Sequence, residues 1–251
     1  FYYSDPRKAE CGNLSSSGIH IIGNDHYITD VIVFSAQIGV QVHGAANLIK
    51  GLHAWNCASD RGGTGILIDG SYSNRLLGVY MDYTSIVAYS PYHLTISNSF
   101  FLCGGHVILK AVKGGTTING LSIKDNIYNN CQNSSIVLDE TEAKFTSVTD
   151  TYIEGNMMTS GYSQNSTKAT ATLRLEKAKR WFFDFSNSLL FPSIKHVTYS
   201  IMIEDGEFAM HTARLPVGKT VAIETNIPVT ATVEVHVDQS DYSHNCTGGK
   251  C

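Results

Sequence analysis

The 251-residue sequence has few charged residues and no long apolar run. Charged side chains make up 16% of the chain, too few for a coiled coil, and hydrophobic residues make up 43%, too many for a disordered protein. No run approaches the ~20 apolar residues that a membrane-spanning helix needs, so we expect no membrane partner. No dense Lys/Arg cluster is present either, which argues against nucleic acid as a partner.

Signatures of cofactor and metal sites are also absent from the sequence. It contains no P-loop, EF-hand, H-E-x-x-H or G-x-S-x-G pattern, and its cysteines lack the paired spacing of zinc ligands. We therefore expect no cofactor and no metal. The net charge depends on pH, because the formal value is −4 with neutral histidines and +6 with all 10 protonated. A polyanionic ligand is thus compatible with a mildly acidic compartment.

Four Asn-x-Ser/Thr sequons and six cysteines indicate a secreted glycoprotein from an oxidising compartment. The sequons begin at Asn13, Asn133, Asn165 and Asn245. Six cysteines are too few for a fold built on disulfides. Their spacing favours pairing of Cys246 with Cys251 and of Cys103 with Cys131. The remaining connectivity stays open.

Short strand-like runs recur along the chain, and helical periodicity is nearly absent. Runs that end in a large apolar residue, such as Val31–Phe34 and Leu48–Trp55, alternate with compact runs such as Gly39–Val42 and Gly65–Asp69. Equivalent positions return every ~20–35 residues, the range of stacked-repeat folds. A variable period with a fixed order of elements predicts an all-β, right-handed parallel β-helix. A β-sandwich is the alternative, with more uniform strand spacing.

An Asn recurs shortly before an apolar pair in S-N-S-F-F, K-D-N-I-Y and E-G-N-M-M, at residues 97–101, 124–128 and 154–158. Asn tolerates the left-handed conformation of a tight corner and forms hydrogen-bonded ladders between stacked chains, so we expect it at the corners of the coils.

The pattern changes after about Asp205, where V-A-I-E-T and T-A-T-V-E-V-H-V predict antiparallel strands. We assign residues 1–205 to parallel β-helix coils and residues 206–251 to a C-terminal antiparallel β cap and tail, which covers the exposed edge of the last coil. No such cap is evident over Phe1–Leu14. We therefore expect that N-terminal coils are missing or lie on a companion N-terminal fragment.

Two stretches, Gly23–Phe34 and Ile38–Asn56, resemble the plant QUARTET-type polygalacturonases. The resemblance continues through Tyr80–Thr84, Ile96–Leu102 and Leu189–Val197, so it covers nearly the whole chain. It implies a pectin-lyase-like β-helix that is secreted to the plant cell wall, or apoplast. It also implies hydrolysis of α-1,4-galacturonan in pectin, a pectic polysaccharide partner, and a chain that corresponds to the C-terminal portion of a longer protein.

Glycoside hydrolysis needs two carboxyl groups that flank the scissile bond. Asp60 and Asp82 are 22 residues apart and His106 follows 24 residues later, each near the start of a compact run. The series resembles the N-T-D, D-D and G-H-G motifs of polygalacturonases, although Tyr83 and Val107 replace family residues. The alternative is that these side chains are turn aspartates and an ordinary histidine. Stacking one turn apart suggests a retaining carboxyl spacing, whereas the family is understood to invert.

Further catalytic candidates are Asp25 and Asp30, which flank a short strand-like segment, with His53 about one turn further on. A carboxylate beside a histidine favours its charged form, which suits a uronate substrate. The alternative role for both aspartates is to stabilise turns. Binding of a uronate also needs cations and sugar-stacking rings. The candidates for substrate binding are Arg61, Arg75, Lys110, Lys124, His53 and Tyr83.

Three alternatives to a hydrolase stay open. The first is a non-catalytic polysaccharide-binding or defence protein on the same scaffold, which the departures from the family motifs favour. The second is a Ca²⁺-dependent lyase that uses Asp25 and Asp30 with an arginine base. The third is one fragment of a nicked enzyme.

Overall fold

The computed structural model describes residues 17–34, 36–55, 63–70, 72–103, 105–129, 135–159, 165–205 and 208–243. Within these ranges the chain forms 25 strands and no helix. Accordingly, the described chain contains no helix of the length and apolar character needed to cross a membrane. The chain divides into two compact units, one of residues 165–242 and one of residues 1–164 with 243–251.

Three parallel six-stranded sheets form the first unit, and each coil contributes one strand to each sheet. Sheet A contains β1 (Ser17–Ile21), β4 (Ile38–Val42), β7 (Thr64–Ile68), β10 (Ser85–Tyr89), β13 (Val107–Lys110) and β17 (Ile136–Asp139). Sheet B contains β2 (Tyr27–Thr29), β5 (Leu48–Lys50), β8 (Arg75–Leu77), β11 (Thr95–Ser97), β15 (Ser122–Lys124) and β19 (Tyr152–Glu154). Sheet C contains β3 (Ile32–Phe34), β6 (His53–Trp55), β9 (Tyr80–Asp82), β12 (Phe100–Leu102), β16 (Ile127–Asn129) and β20 (Met157–Met158). Strand β14 (Thr117–Asn119) pairs in parallel with β18 (Ser147–Thr149). This order confirms the predicted parallel β-helix.

The core of the coils consists of stacked columns of apolar side chains. The register of sheet C places its central residues in one column, and all but Met158 are buried: Val33, Ala54, Met81, Phe101, Tyr128 and Met158. Within that column, the rings of Phe101 and Tyr128 stack with centroids 4.5 Å apart. Because strand residues alternate between faces, the residues before and after each central position point outward. Any site on this sheet is therefore built from those two outer columns.

Tight corners join sheets B and C, and each corner has one residue with positive φ. These φ values lie between 52° and 70°, at Asp30, Gly51, Gly78, Asn98, Asp125 and Gly155. The predicted corner asparagines fall into two roles. Asn98 takes the left-handed position itself, whereas Asn126 and Asn156 follow it. Asn156 Oδ1 accepts from the Asn126 amide at 3.1 Å, and Asn126 Oδ1 accepts from the Ser99 amide at 2.9 Å.

A second asparagine ladder holds the connections between sheets A and B. Asn24 Oδ1 accepts a hydrogen bond from the Ala45 amide at 2.7 Å. Asn47 Oδ1 accepts from the His26 amide, and Asn74 Oδ1 accepts from the Asn47 amide, both at 2.9 Å. Asn47 and Asn74 each satisfy a backbone group of the preceding coil, and Asn24 satisfies one of the following coil, so the ladder fixes the register between successive coils.

The second unit is an antiparallel sheet in the order β21 (Lys168–Asp184), β24 (Thr220–Asp238) and β22 (His196–Asp205), with β23 (His211–Ala213) also paired to β24. Its inner face buries Trp181 and Ile223, whereas the other face is mostly polar and exposes Phe182 and Met202. The two-residue strand β25 (Tyr242–Ser243) ends the described chain. The predicted C-terminal antiparallel sheet is thus confirmed.

The boundary between the two regions differs from the sequence prediction. We place it at residues 205/206 from the sequence, whereas β21 and β22 already pair antiparallel with β24. In short segments of these two strands, more buried and more exposed residues alternate in the same way as in a coil strand. The unbroken 17 residues of β21 are what distinguish it from the two- to five-residue strands of the coils.

Candidate functional site

The outer face of sheet C brings His53, Tyr80 and Asp82 together. The parallel register pairs His53 with Tyr80 and Trp55 with Asp82. The His53 side chain reaches diagonally from its own register position to that of Asp82, and its Nε2 lies 3.2 Å from Asp82 Oδ2. The imidazole also stacks on the Tyr80 ring, with centroids 4.2 Å apart and planes 18° apart. Both partners of the pair are partly exposed, so they are accessible to a ligand.

Aromatic rings surround this pair. Phe34 packs edge-on against His53 at 5.0 Å and against Trp55 at 5.8 Å, while Phe100 lies 5.3 Å from Tyr80 on the other side. We call this group the sheet C patch; it consists of Phe34, His53, Trp55, Tyr80, Asp82 and Phe100. The pKa of Tyr80 is raised, mainly by burial and to a smaller extent by the nearby Asp82 and Tyr83. Its hydroxyl therefore stays protonated and can donate a hydrogen bond. The patch combines apolar ring faces with a carboxylate–imidazole pair that can exchange protons.

Of the predicted catalytic residues, Asp82 lies in the sheet C patch. Asp60 and its neighbour Arg61 lie outside the described residues. His106 comes directly before β13 of sheet A. In sheet C the register pairs Asp82 with Leu102, so His106 does not stack on Asp82 as the sequence spacing suggests. The Nδ1 of His106 is enclosed and has no hydrogen-bond partner in the described part of the chain. Burial lowers the pKa of His106, which favours the neutral ring.

Asp25 and Asp30 occupy corners of the coil, with φ of 60° and 52°. Both are exposed. The Asp25 amide donates to the Ala45 carbonyl at 3.1 Å, and the Asp30 amide donates to the Lys50 carbonyl at 3.0 Å. These positions fit the turn-stabilising alternative, because aspartate is one of the few residue types that adopts this conformation readily.

The two predicted substrate-binding lysines are engaged with carboxylates. Lys110 Nζ lies 2.6 Å from Glu142, whose hydrogen bond raises the pKa of the lysine, and 3.9 Å from Asp139. Lys124 Nζ lies 2.7 Å from Glu154. Both ammonium groups also lie over tyrosine rings.

Arg75 and Tyr83 take different positions. Arg75 is exposed on the outer face of sheet B. Tyr83 directly follows Asp82, with a φ of 57° and 36% of its surface exposed. Two of the predicted binding residues are therefore close to Asp82: His53 contacts it, and Tyr83 is its neighbour in the sequence.

A second polar cluster lies at the end of sheet A and was not predicted. His43 Nδ1 is 3.6 Å from Asp69 Oδ2, and Gln41 Nε2 is 3.2 Å from His43 Nε2. The ring of His20 lies 5.0 Å from that of His43. The signal for this cluster is the spacing of the compact strands, because pairing Val42 with Ile68 places His43 beside Asp69.

Few of the predicted covalent modification sites can be located. Cys103 is disulfide-bonded. The other five cysteines lie outside the described residues, so Cys131 as its partner stays a prediction, as does the Cys246–Cys251 pair. Asn165 begins the second unit, whereas Asn13, Asn133 and Asn245 lie outside the described residues. Among described side chains, no group of three or more His, Cys, Asp or Glu is placed to hold a metal ion.

Fold and patch together define a parallel β-helix protein with a histidine–carboxylate pair in an aromatic surface. Comparison with protein-family models gives no match. The chain is 39% identical over 233 residues to polygalacturonase QRT3 of Arabidopsis thaliana. The match covers 90% of this chain and 48% of the relative, so the chain spans about half the length of that protein. This confirms the resemblance to QUARTET-type polygalacturonases and supports a relationship to pectin-degrading glycoside hydrolases.

Proposed function

We propose that this chain belongs to a secreted cell-wall enzyme that hydrolyses α-1,4-galacturonan in pectin, with the sheet C patch as its site. The observation that carries this proposal is the His53–Asp82 pair stacked against Tyr80. The similarity to a polygalacturonase supports the substrate class. A companion N-terminal fragment that completes the coils is part of the same proposal.

Asp82 is the residue that we propose as the base. When the imidazole of His53 donates its Nε2 proton, the Asp82 carboxylate is held as an acceptor beside the bound sugar. Asp82 then takes a proton from the attacking water, while a second carboxyl group donates a proton to the leaving glycosidic oxygen. We assign that second role to Asp60, which follows Trp55 by five residues in the sequence.

Substrate binding falls to the aromatic rings and to arginine side chains. Tyr80 and Trp55 offer ring faces and polar edges, a combination suited to sugar rings that have both C–H and O–H groups. Arg61 and Arg75 are the preferred partners for uronate carboxylates, since a guanidinium matches a carboxylate with two hydrogen bonds. Lys110 and Lys124 are weaker candidates because Glu142 and Glu154 already neutralise them.

Release of reducing ends from polygalacturonate tests the proposal. We expect Asp82→Asn to lower the rate by about 10²–10⁴-fold, because the amide is not a base. Asp25→Asn is a matched control, since Asp25 is an exposed corner residue and Asn also adopts a left-handed backbone readily. A folded Asp82→Asn variant with the wild-type rate would refute the role of Asp82, and a product that absorbs near 235 nm would indicate a lyase instead.

The composition of the patch favours non-catalytic polysaccharide binding as a second function. Asp82 is the one carboxylate in the sheet C patch, among four aromatic rings and a histidine. On this alternative, the wild-type protein binds oligogalacturonides and releases no reducing ends. Tyr80→Ala then weakens binding, and Asp82→Asn does not abolish it.

A further inference from the structure

Two arginine side chains on the outer face of the antiparallel sheet share one carboxylate. Arg180 of β21 donates to Glu224 Oε1 of β24 through Nε at 2.7 Å and also through Nη2, and Arg214 Nε donates to Glu224 Oε2 at 2.5 Å. These hydrogen bonds lower the pKa of Glu224, so its carboxylate stays charged and holds both guanidinium groups in place. The Glu224 side chain is only 15% exposed, whereas those of Arg180 and Arg214 are 67% and 65% exposed.

Both guanidinium groups keep donors for a ligand. A guanidinium has five N–H donors, and within the described chain Arg214 uses only its Nε and Arg180 leaves Nη1 unused. The shared carboxylate also neutralises only one of the two positive charges. Arg174 of the same sheet is the opposite case, because its single guanidinium is bonded to both Glu176 and Glu204. The surplus of donors is therefore a property of the Arg180–Arg214 pair.

An exposed aromatic ring lies beside this pair. The strand register forms two rows on the outer face, with Phe182, Ala222 and Arg214 in one row and Arg180, Glu224 and Thr212 in the next. The Phe182 side chain is 59% exposed. Because Ala222 is small, a ligand can approach the sheet between Phe182 and Arg214, whose backbones are two strand spacings, roughly 10 Å, apart. That span accommodates one sugar ring.

The other charged group beside Phe182 sets the orientation of such a ligand. Asp184 follows two residues later on β21, so it lies on the same face and on the opposite side of Phe182 from Arg180. Its carboxylate accepts a hydrogen bond from the Ser186 amide at 2.9 Å. An anionic ligand over Phe182 is therefore repelled at one end and attracted at the other, with its negative group towards the arginines.

We propose that Phe182, Arg180 and Arg214 form an accessory binding site for a carboxylated saccharide. The remaining N–H groups of the arginines bind the carboxylate, since a planar guanidinium matches a carboxylate with two hydrogen bonds. The Phe182 ring packs against the C–H groups of the sugar. Glu224 holds the guanidinium groups in place before binding, which reduces the entropy cost. The selection of an anion follows from the arginine pair itself, whereas the choice of a uronate depends on the proposed function.

The test uses the whole chain carrying Asp82→Asn, labelled with ¹⁵N in its arginine side chains, and trigalacturonate as the probe. We expect millimolar trigalacturonate to shift the Nε–Hε NMR signals of Arg180 and Arg214 and to leave the signal of Arg174 unchanged. Arg214→Gln should weaken binding, followed at Arg180, about fivefold. Arg174→Gln is the matched control, because Arg174 is a partly exposed arginine on β21 that is already bonded to two carboxylates.

A second pair of variants tests the apolar half of the site. We expect Phe182→Ala to weaken binding about fivefold, because the sugar loses its contact with the ring. Met202→Ala is the matched control, because Met202 is also a large apolar residue exposed on the outer face. The register places Met202 in the row of Arg174, away from the Arg180–Arg214 pair.

The proposal is overturned by silent Arg180 and Arg214 signals at millimolar trigalacturonate, or by equal effects of the site variants and their controls. An equal response to sulfate at the same ionic strength, or to an uncharged galactose trimer, overturns it as well. Release of reducing ends is measured separately on protein that keeps Asp82. Loss of accessory binding in Arg214→Gln with intact hydrolysis leaves the proposed function standing. Accessory binding without any hydrolysis refutes the proposed catalysis alone, and silent arginine signals with intact hydrolysis refute the accessory site alone.

Discussion

Asn74 joins the coil that contains Asp82 to the coil that contains His53, so its removal tests whether the asparagine ladder holds these coils in register. Its side chain is buried, with 2% of its surface exposed. Oδ1 accepts from the Asn47 amide at 2.9 Å, and Nδ2 donates to the Gly44 carbonyl at 3.1 Å. Both partners are buried backbone groups of the preceding coil. Asn74→Ala removes both of these hydrogen bonds.

The cost follows from the groups left without partners. An unsatisfied buried donor or acceptor costs about 1–3 kcal/mol. The Asn47 amide loses its acceptor, and the Gly44 carbonyl loses a donor but keeps a second lone pair available. We therefore expect Asn74→Ala to lower the free energy of unfolding by about 2–4 kcal/mol. Asn74→Asp keeps the acceptor for Asn47 and introduces a buried charge, so it does not restore stability.

Urea unfolding followed by circular dichroism measures this difference. Asn98→Gly is the matched control, because Asn98 is an exposed corner residue with a φ of 52°, a conformation that glycine adopts freely. We expect Asn98→Gly to stay within about 1 kcal/mol of the wild type. If Asn74→Ala stays in the same range, the ladder does not hold the coils, and the reasoning from buried hydrogen bonds is wrong.

Two further predictions address the core and the pH dependence of the fold. Phe101→Ala should lower the free energy of unfolding in urea by about 3–5 kcal/mol, because Phe101 is fully buried against Tyr128. Phe100→Ala should lower galacturonan affinity with a smaller loss of stability, because Phe100 lies on the outer face beside Tyr80. Equal losses of stability would contradict the assignment of the two residues to opposite faces. Burial lowers the pKa of His106, so the unfolded chain binds that proton more readily and stability falls as the pH drops from about 6.5 through the lowered pKa. His106→Gln should reduce the change in urea midpoint between about pH 7.5 and pH 5, and an unchanged difference would refute this sign.

The parallel β-helix is predictable from the sequence because its core imposes a pattern on every coil. One apolar residue points inward at the centre of each short strand, as Met81 and Phe101 do, and a sharp corner follows. The pattern does not show where parallel pairing ends. Pieces of β21 alternate like coil strands, and the direction of pairing depends on long-range contacts that a local pattern does not contain.

The site is less predictable because the coils differ in length. From Ile32 the outer column of sheet C passes to His53, Tyr80 and Phe100, at intervals of 21, 27 and 20 residues. A search for ionisable side chains at nearly constant intervals aligns Asp82 with His106, whereas the register pairs Asp82 with Leu102. His53 and Asp82 meet because the histidine reaches diagonally between columns, which a count of residues does not show.

Stacked coils place outward side chains of neighbouring turns ~4.8 Å apart, so like charges in one column repel each other. Acidic and basic side chains accordingly face each other between coils in several places: Lys110 with Asp139, Lys124 with Glu154, and His43 with Asp69. The His53–Asp82 contact is one more pair of this kind, since the architecture favours such pairs wherever charges point outward. The sheet C patch is distinguished by its surroundings, because aromatic rings from four successive coils surround one carboxylate there. The decisive comparison is thus between the rates at which Asp82→Asn and Asp69→Asn release reducing ends. If both pairs are only architectural, the two substitutions change the rate alike. If the sheet C patch is catalytic, only Asp82→Asn lowers the rate.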